Sequence, residues 1–322
     1  MKYLFTNVVG SFVLDDQLEI IDSLPFANMQ EYEHKENTEQ KLKKRHPQLT
    51  PLPLDKLPKV LLQFKDPQYY NAFYAPNLAL TKAAIKQSVT EDIFVMQTIA
   101  NINELDKTIN LLSKRVREWC GWYAPEVVAR ISDHEKLMEL IGGRSRTELL
   151  KELKESDTMG ADIPKVHVDE ILLLARQVRE LFRLREQHET YLQKVMQKYC
   201  PNVMELAGVT LGAKLIELGK GLKHLALLPA STIQLLGAEK ALFRHIKTGA
   251  RSPKHGIIIN HPLIQNAAKT SKGKAARMLA DKISLCARLD YFKGEFKAKE
   301  YRKELEGKLK EDHSSLKSGN NP

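Results

Sequence analysis

Between Asn77 and Ala124 the chain has no proline, and within that stretch Ile102, Leu105, Ile109, Leu112, Val116, Trp119 and Tyr123 recur in alternating steps of three and four. Apolar side chains repeating roughly every 3.5 residues form one stripe of a helix, and that stripe demands a partner along its length. A second run follows Pro164: Ile171, Ala175, Val178, Phe182, Leu192, Met196 and Tyr199, with Arg185 and Glu189 in the intervening seam positions. A shorter helical stretch from 134 to 155, interrupted at Gly142 and Gly143, separates the two runs. The expectation is a long antiparallel helical hairpin. It acts either as a spacer or as a dimerisation arm whose seam is Ile102, Leu105, Ile109, Leu112, Val116 and Trp119.

The flanks differ from this rod. Pro25, Pro47, Pro51, Pro53, Pro58, Pro67 and Pro76 crowd the first 76 residues. Strand-like runs there ("YLFTNVVGSFVL", "KVLLQF") surround a polar connector ("EYEHKENTEQKLKKRHPQ"), which reads as a small α/β domain. Beyond Pro201 the period is helical again, but Gly208, Gly212, Gly219 and Gly221 interrupt it. Glycine inside a helix costs up to about 1 kcal/mol relative to Ala, and close approach of neighbouring backbones is the usual compensation. The fold class expected is mainly α: an N-terminal α/β domain (1–80), a coiled-coil hairpin (81–200), an all-helical C-terminal domain (201–310) and a disordered tail (311–322).

Composition narrows the partners. No apolar run approaches the roughly 20 residues needed to span a bilayer, and the N-terminus lacks a convincing signal-peptide pattern. Cys120, Cys200 and Cys286 lie far apart with no CxxC pair. That pattern suits a reducing compartment such as the cytoplasm and argues against disulfides and zinc. Net charge is +10, and residues 202–278 hold twelve Lys or Arg against three acids. Nearly all the excess charge therefore sits in one quarter of the chain. Such a region attracts polyanions, and nucleic acid fits better than a membrane because no amphipathic helix with exposed aromatics accompanies the charge.

The densest part is "LLGAEKALFRHIKTGARSPKHG" (235–256). Pro229, Ser231 and Thr232 read as a helix start with a hydroxyl cap, closed by Leu235, Leu236 and Gly237. Glu239 opens the next helix, near its positive end. Lys240, Arg244 and Lys247 share one face, while Leu242, Phe243 and Ile246 are expected to face the core. Gly249 ends the helix, and Arg251, Ser252, Pro253, Lys254 and His255 form a loop that bends the cationic line. A merely solvated face would intersperse acids, yet only Glu239 is present, so phosphate contact is the favoured reading. His245, His255 and His261 lack a Cys or carboxylate at ligand spacing, so no metal is expected. Ser231 has no nucleophile-elbow context. Trp119, Trp122 and Tyr123 read as packing groups.

The stretch "LPASTIQLLGAEKALFRHIKTGARSPKHGIIINHPLI" (228–264) resembles the signature of the Nop domain, and "GAEKALFR" followed by "KTG" and "PKHG" is a specific pattern. The likeness extends upstream through "DKTINLLSKRVREW" (106–119) and covers roughly residues 80–310. It is strongest to the archaeal scaffold of box C/D RNA-guided 2′-O-methylation particles, whose short N-terminal domain and lack of a long Lys-rich tail this chain shares. The resemblance implies that the N-terminal domain grips fibrillarin, a methyltransferase that itself binds S-adenosylmethionine, so that this chain needs no cofactor. It implies that the hairpin homodimerises. It implies that the Nop domain binds a guide RNA kink-turn together with a small ribosomal-protein-like kink-turn binder. By motif position Glu239, Lys240, Arg244, Lys247, Arg251, Lys254 and His255 are the candidates for that contact, with Gln234 and Thr232 beside them.

Two other readings compete with this one. A stand-alone RNA-modifying transferase would need alternating strands and helices around a Gly-rich cofactor turn, whereas almost only helical period follows residue 77. A spliceosomal-type relative would bind a kink-turn without fibrillarin. The expected role is a non-catalytic scaffold in an archaeal cytoplasm.

Overall fold

Strand β1 (Lys2–Thr6) pairs antiparallel with β2 (Gly10–Leu14), and every residue of β2 is buried. That is the signature of a central strand covered on both faces. Its other edge pairs antiparallel with β3 (Ile20–Pro25). The next two helices are α1 (Met29–Glu33) and α2 (Lys35–Arg45). Strand β4 (Leu49–Pro51) then lies parallel to β1, giving the order β3-β2-β1-β4. Helices α3 (Leu57–Gln63) and α4 (Pro67–Ser88) complete the unit. Tyr3, Phe12, Leu14, Leu18, Val60 and Phe64 form its core, with the Phe12 and Phe64 rings edge-on at 4.9 Å.

The computed structural model describes residues 1–27, 29–155 and 157–318. They divide into two compact units, Met1–Thr90 and Glu91 onward. The chain is mainly helical with one small N-terminal sheet, as its sequence led us to expect. One local reading of the first unit is corrected. "KVLLQF" is not a strand: Pro58 starts α3, and Val60 and Phe64, four residues apart, point together into the core. The polar connector folds as α1 and α2, and α2 is anchored by Leu42, its one buried residue among those described. A single buried side chain on an otherwise solvated helix leaves almost no hydrophobic period to detect.

In the second unit α5 (Glu91–Tyr123) and α9 (Lys165–Tyr199) are the two long helices. They run antiparallel: Asn101 Nδ2 donates to His188 Nε2 at 3.0 Å, and Arg185 Nε donates to Asp106 Oδ1 at 2.5 Å. Arg185 also pairs with Glu189, so the polar break in the second seam is an ion-pair cluster. Between them lie α6 (Pro125–Arg130), α7 (His134–Gly143) and α8 (Arg146–Glu152). Asp133 caps α7, and Ser145 with Glu148 forms a capping box that restarts the chain after the glycines.

The buried line on α5 is not quite the one its large residues mark. Ile102, Leu105, Ile109 and Val116 are buried, but Leu112 and Trp119 are half-buried at the edge. Ser113 and Cys120 take the central places instead. The reason is geometric. A strict heptad drifts by about 20° per repeat on a straight helix, so contact shifts by one residue after Ile109.

The remaining helices form a bundle: α10 (Pro201–Ala207), α11 (Val209–Leu218), α12 (Leu222–Leu227), α13 (Ala230–Leu235), α14 (Glu239–Thr248), a 3₁₀ turn (Ile257–Asn260), α15 (Pro262–Gln265), α16 (Lys272–Tyr291) and α17 (Ala298–Ser318). The last runs past residue 311, where an unstructured tail was expected to begin; residues 319–322 lie outside the described residues. Of the interrupting glycines, Gly212 is buried where helices meet: a Cβ there would lie 3.0 Å from Met196 Cε of α9 and 3.2 Å from Val203 Cγ1 of α10. Among the described residues no helix is long and apolar enough to cross a membrane.

A buried polar knot ties the bundle. Asp290 of α16 accepts from Asn202 N–H (3.0 Å), Asn202 Nδ2 (2.8 Å) and Val203 N–H (2.8 Å), which satisfies the start of α10. Asn202 Oδ1 in turn accepts from Lys297 and Ala298 N–H at the start of α17. Replacing Asp290 with Ala strands two buried backbone donors and leaves Asn202 Nδ2 only its 3.3 Å bond to Glu295 O. We expect the Asp290→Ala chain to lose about 3 kcal/mol in urea unfolding, with the helical content before the transition unchanged.

Candidate nucleic-acid interface

Pro229, not a hydroxyl, occupies the cap of α13, and Ser231 and Thr232 are exposed without a capping bond. Ile233 and Leu236 sink this short helix into the core. The chain then reverses at Gly237, whose N–H is taken by Glu239 Oε1 at 2.7 Å. Glu239, an expected RNA-facing residue, therefore uses an oxygen on its own turn, at the N-terminus of α14 where a negative charge is favoured. Gly249 in the left-handed conformation ends α14, its N–H bonded to His245 O.

Residues 249–256 return as a strap fastened at three points. Gln234 Nε2 donates to Lys254 O at 2.6 Å, Gly256 N–H to Gln234 O at 2.7 Å, and Ile257 N–H to Leu236 O at 2.8 Å. Gly256 lies so close that a Cβ would overlap the Leu236 carbonyl. His245 Nδ1 meets Ala250 O on the near side of the strap. The bend in the cationic line is thus built into the fold. Lys240, Arg244, Lys247, Arg251 and Lys254 are all exposed, His255 is half-buried, and Gln234 holds the strap in place.

One expectation about this helix is overturned. Leu242, Phe243 and Ile246 are not core residues: α14 buries none of its side chains, Leu242 is half-buried, and Phe243 and Ile246 are 59% and 71% exposed. Amphipathic period shows that two faces differ, but not that the apolar one is covered by the same chain. Lys247 Nζ lies 4.7 Å from the centre of the Phe243 ring, so cation and apolar face adjoin, and the charge does accompany an amphipathic helix with an exposed aromatic, contrary to the expectation from the sequence. Sequence reasoning also left Lys274 and Arg277 without a place. They line an open basin opposite Lys254 on the strap. Their charge was legible, but their position required the packing of α16 against α13.

The three histidines have separate duties. His261 is 3% exposed and caps α15: its Nδ1 accepts from Leu263 N–H at 3.2 Å, so Nε2 carries the proton and donates to Leu206 O at 3.0 Å. Among the described residues no group of three or more His, Cys, Asp or Glu is placed to hold a metal ion. The three cysteines are buried, and burial pushes the thiols of Cys120 and Cys286 up to about 12, far from nucleophilic range. Trp122 stands exposed near the hairpin's turn rather than packed, while Trp119 and Tyr123 are half-buried.

Two outcomes follow from this geometry. Burial holds His261 below its ordinary value of 6.5, so on acidification the unfolded chain takes up its proton first. Stability present above about pH 6.5 is then lost as pH falls through the folded value. His261→Gln should flatten this acid-side fall in the urea midpoint. Because α14 is short and buries nothing, its amides should exchange with deuterium orders of magnitude faster than those of α16. Equal protection in hydrogen-exchange mass spectrometry would contradict that.

The profile of the Nop family, described as a snoRNA-binding domain with mention of fibrillarin, matches residues 101–311. The chain is 41% identical over 249 residues to an uncharacterised NOP5 family protein of Methanocaldococcus jannaschii, covering 72% of this chain and 60% of that one. It is 40% identical over 215 residues to nucleolar protein 58 of Schizosaccharomyces pombe, covering 62% and 42% respectively. The chain thus spans about half the length of the curated relatives it matches. A solved fibrillarin/Nop5p complex aligns over 96% of this chain and 99% of its own, at 24% identity and a TM-score of 0.45, a likeness too slight to carry inference.

Proposed function

The chain belongs to the Nop family, and from that membership we propose that it is a non-catalytic scaffold of a box C/D RNA-guided 2′-O-methylation particle in an archaeal cytoplasm. It bridges a fibrillarin-type methyltransferase to a guide-RNA kink-turn held by a small ribosomal-protein-like partner. The methyl donor, S-adenosylmethionine, is bound by the methyltransferase. Catalysis is served by holding enzyme and target ribose together, which raises their effective concentration.

The observation that carries this reading is α14. A helix with Lys240, Arg244 and Lys247 on one side, Phe243 and Ile246 on the other, and no buried side chain of its own is built to meet two chemistries at once. Its cations and those of the strap suit RNA phosphates. Its apolar side suits a protein already seated on that RNA. Interfaces of this kind place aromatic and aliphatic anchors at the centre and charges at the rim.

The other two duties fall to other parts. The first unit, folded around its own core, is the docking module for the methyltransferase; its exposed pair Tyr70 and Tyr74, stacked at 5.7 Å, supports a protein contact there. Homodimerisation belongs to the hairpin. Its proposed seam residues Ile102, Leu105, Ile109 and Val116 already serve the packing of α5 on α9, with Leu112 and Trp119 at the edge. A second copy would therefore meet that edge and the exposed Leu111, Leu173, Leu184 and Tyr191.

Fluorescence anisotropy with labelled kink-turn RNA, with and without its small partner protein, tests the central claim. Affinity for the loaded RNA should fall with salt at a log–log slope on the order of −4, for about five phosphate contacts. Replacing Lys240 and Arg244 with Ala should weaken this binding tenfold or more while dimerisation and methyltransferase capture persist. A flat salt response would refute the phosphate role, and a chain that fails to capture fibrillarin would belong to an assembly without it.

A further inference from the structure

We propose that the RNA-holding surface continues onto α16, where Lys274 and Arg277 face Lys254 across a basin and grip a second stretch of sugar–phosphate backbone; this rests on the scaffold reading above. The basin is an open depression of about 690 Å³ between α13, the strap and the first turns of α16. Its walls carry three cations, Lys254, Lys274 and Arg277, and three hydroxyls, Ser231, Ser252 and Thr270. Among the described residues, none of those lining it is acidic.

The cations are held by rigid parts. Ala275, Ala276, Leu279 and Ala280 bury the inner face of α16, so Lys274 and Arg277 fall on its outer face by helical period. The Lys254 backbone is fixed across the basin by the Gln234 side chain. At Gly273 the helix backbone lies bare toward the basin: an added Cβ would meet nothing nearer than Lys254 Cδ at 3.9 Å. A guanidinium, two ammonium groups and hydroxyl donors around an open space suit phosphodiesters, with the Arg fork gripping two oxygens at once. An enclosed pocket would select a small anion. This one is open at the surface and continuous through Lys254 with the strap, which fits a running backbone.

The test uses the full chain, the kink-turn RNA loaded with its small partner, and the salt titration. Replacing both Lys274 and Arg277 with Ala should weaken binding about tenfold and make the log–log slope shallower by about 1.5, while Arg277→Lys keeps the slope. Gly273→Glu is the independent variant. It adds a negative charge to the basin yet places an acid in the first turn of α16 and removes a helical glycine, both favourable to the helix. Weaker RNA binding with an unchanged or raised melting temperature is expected, a combination that loss of structure cannot produce. Unchanged affinity and slope in both variants, while Lys240→Ala with Arg244→Ala still weakens binding tenfold or more, would overturn the basin and leave the scaffold reading intact. Failure of the unaltered chain to bind loaded RNA would overturn both. Displacement of the RNA from the basin by an acidic peptide at equal concentration would also overturn it.

Discussion

The packing of α5 against α9 is the constraint on which the second unit depends. These two helices serve two cores at once. Val95, Ile99 and Ile102 of α5, Leu192 and Met196 of α9 and Cys200 just beyond it belong to the bundle's core, while Leu105 to Cys120 and Ile171 to Val178 form the core of the hairpin. Neither core can be assembled without the other's helices. Asp92 extends the coupling, since its carboxylate accepts the Leu222 N–H that opens α12. The hairpin and the cationic surface are therefore parts of one body.

Within that body the buried polar groups locate helix ends. Asp290 and Asn202 satisfy the starts of α10 and α17, and His261 satisfies the start of α15. Each takes an orphan backbone donor that water cannot reach. Such groups add little net stability, but a misplaced helix would leave them unpaired, so they set register. The strap around α13 follows the same logic, with Gln234 in the middle of its three bonds. What these contacts hold still is the frame from which α14 projects.

The contrast between α14 and α16 explains the division of the charge. α16 buries nine residues and presents its cations from a rigid face; α14 buries none and presents cations beside an uncovered aromatic. A rigid wall suits a backbone of set shape, and a helix with two open faces suits a partner assembled from RNA and protein together.

Legibility varied with how much each feature depends on its neighbours. Ile102, Leu105, Ile109 and Val116 were readable as a covered stripe because period is a local property of one helix. Ser113 and Cys120 were not, because a small side chain becomes central only when the partner helix lies over it. "KVLLQF" was ambiguous for the reason all short apolar runs are: length and partners, not residue type, separate strand from helix. The sequence by itself determined the helical class, the hairpin, the excess of positive charge between 202 and 278, and the signature residues from 239 to 255. The first three follow from spacing and composition and the last from the resemblance of its motif, all of which survive in one dimension. Only the tertiary structure decided that the apolar side of α14 is open, that Gln234 and Glu239 secure backbone, and that Lys274 and Arg277 stand opposite Lys254. Exposure and juxtaposition are relations between segments distant in the chain, and packing alone brings those segments together.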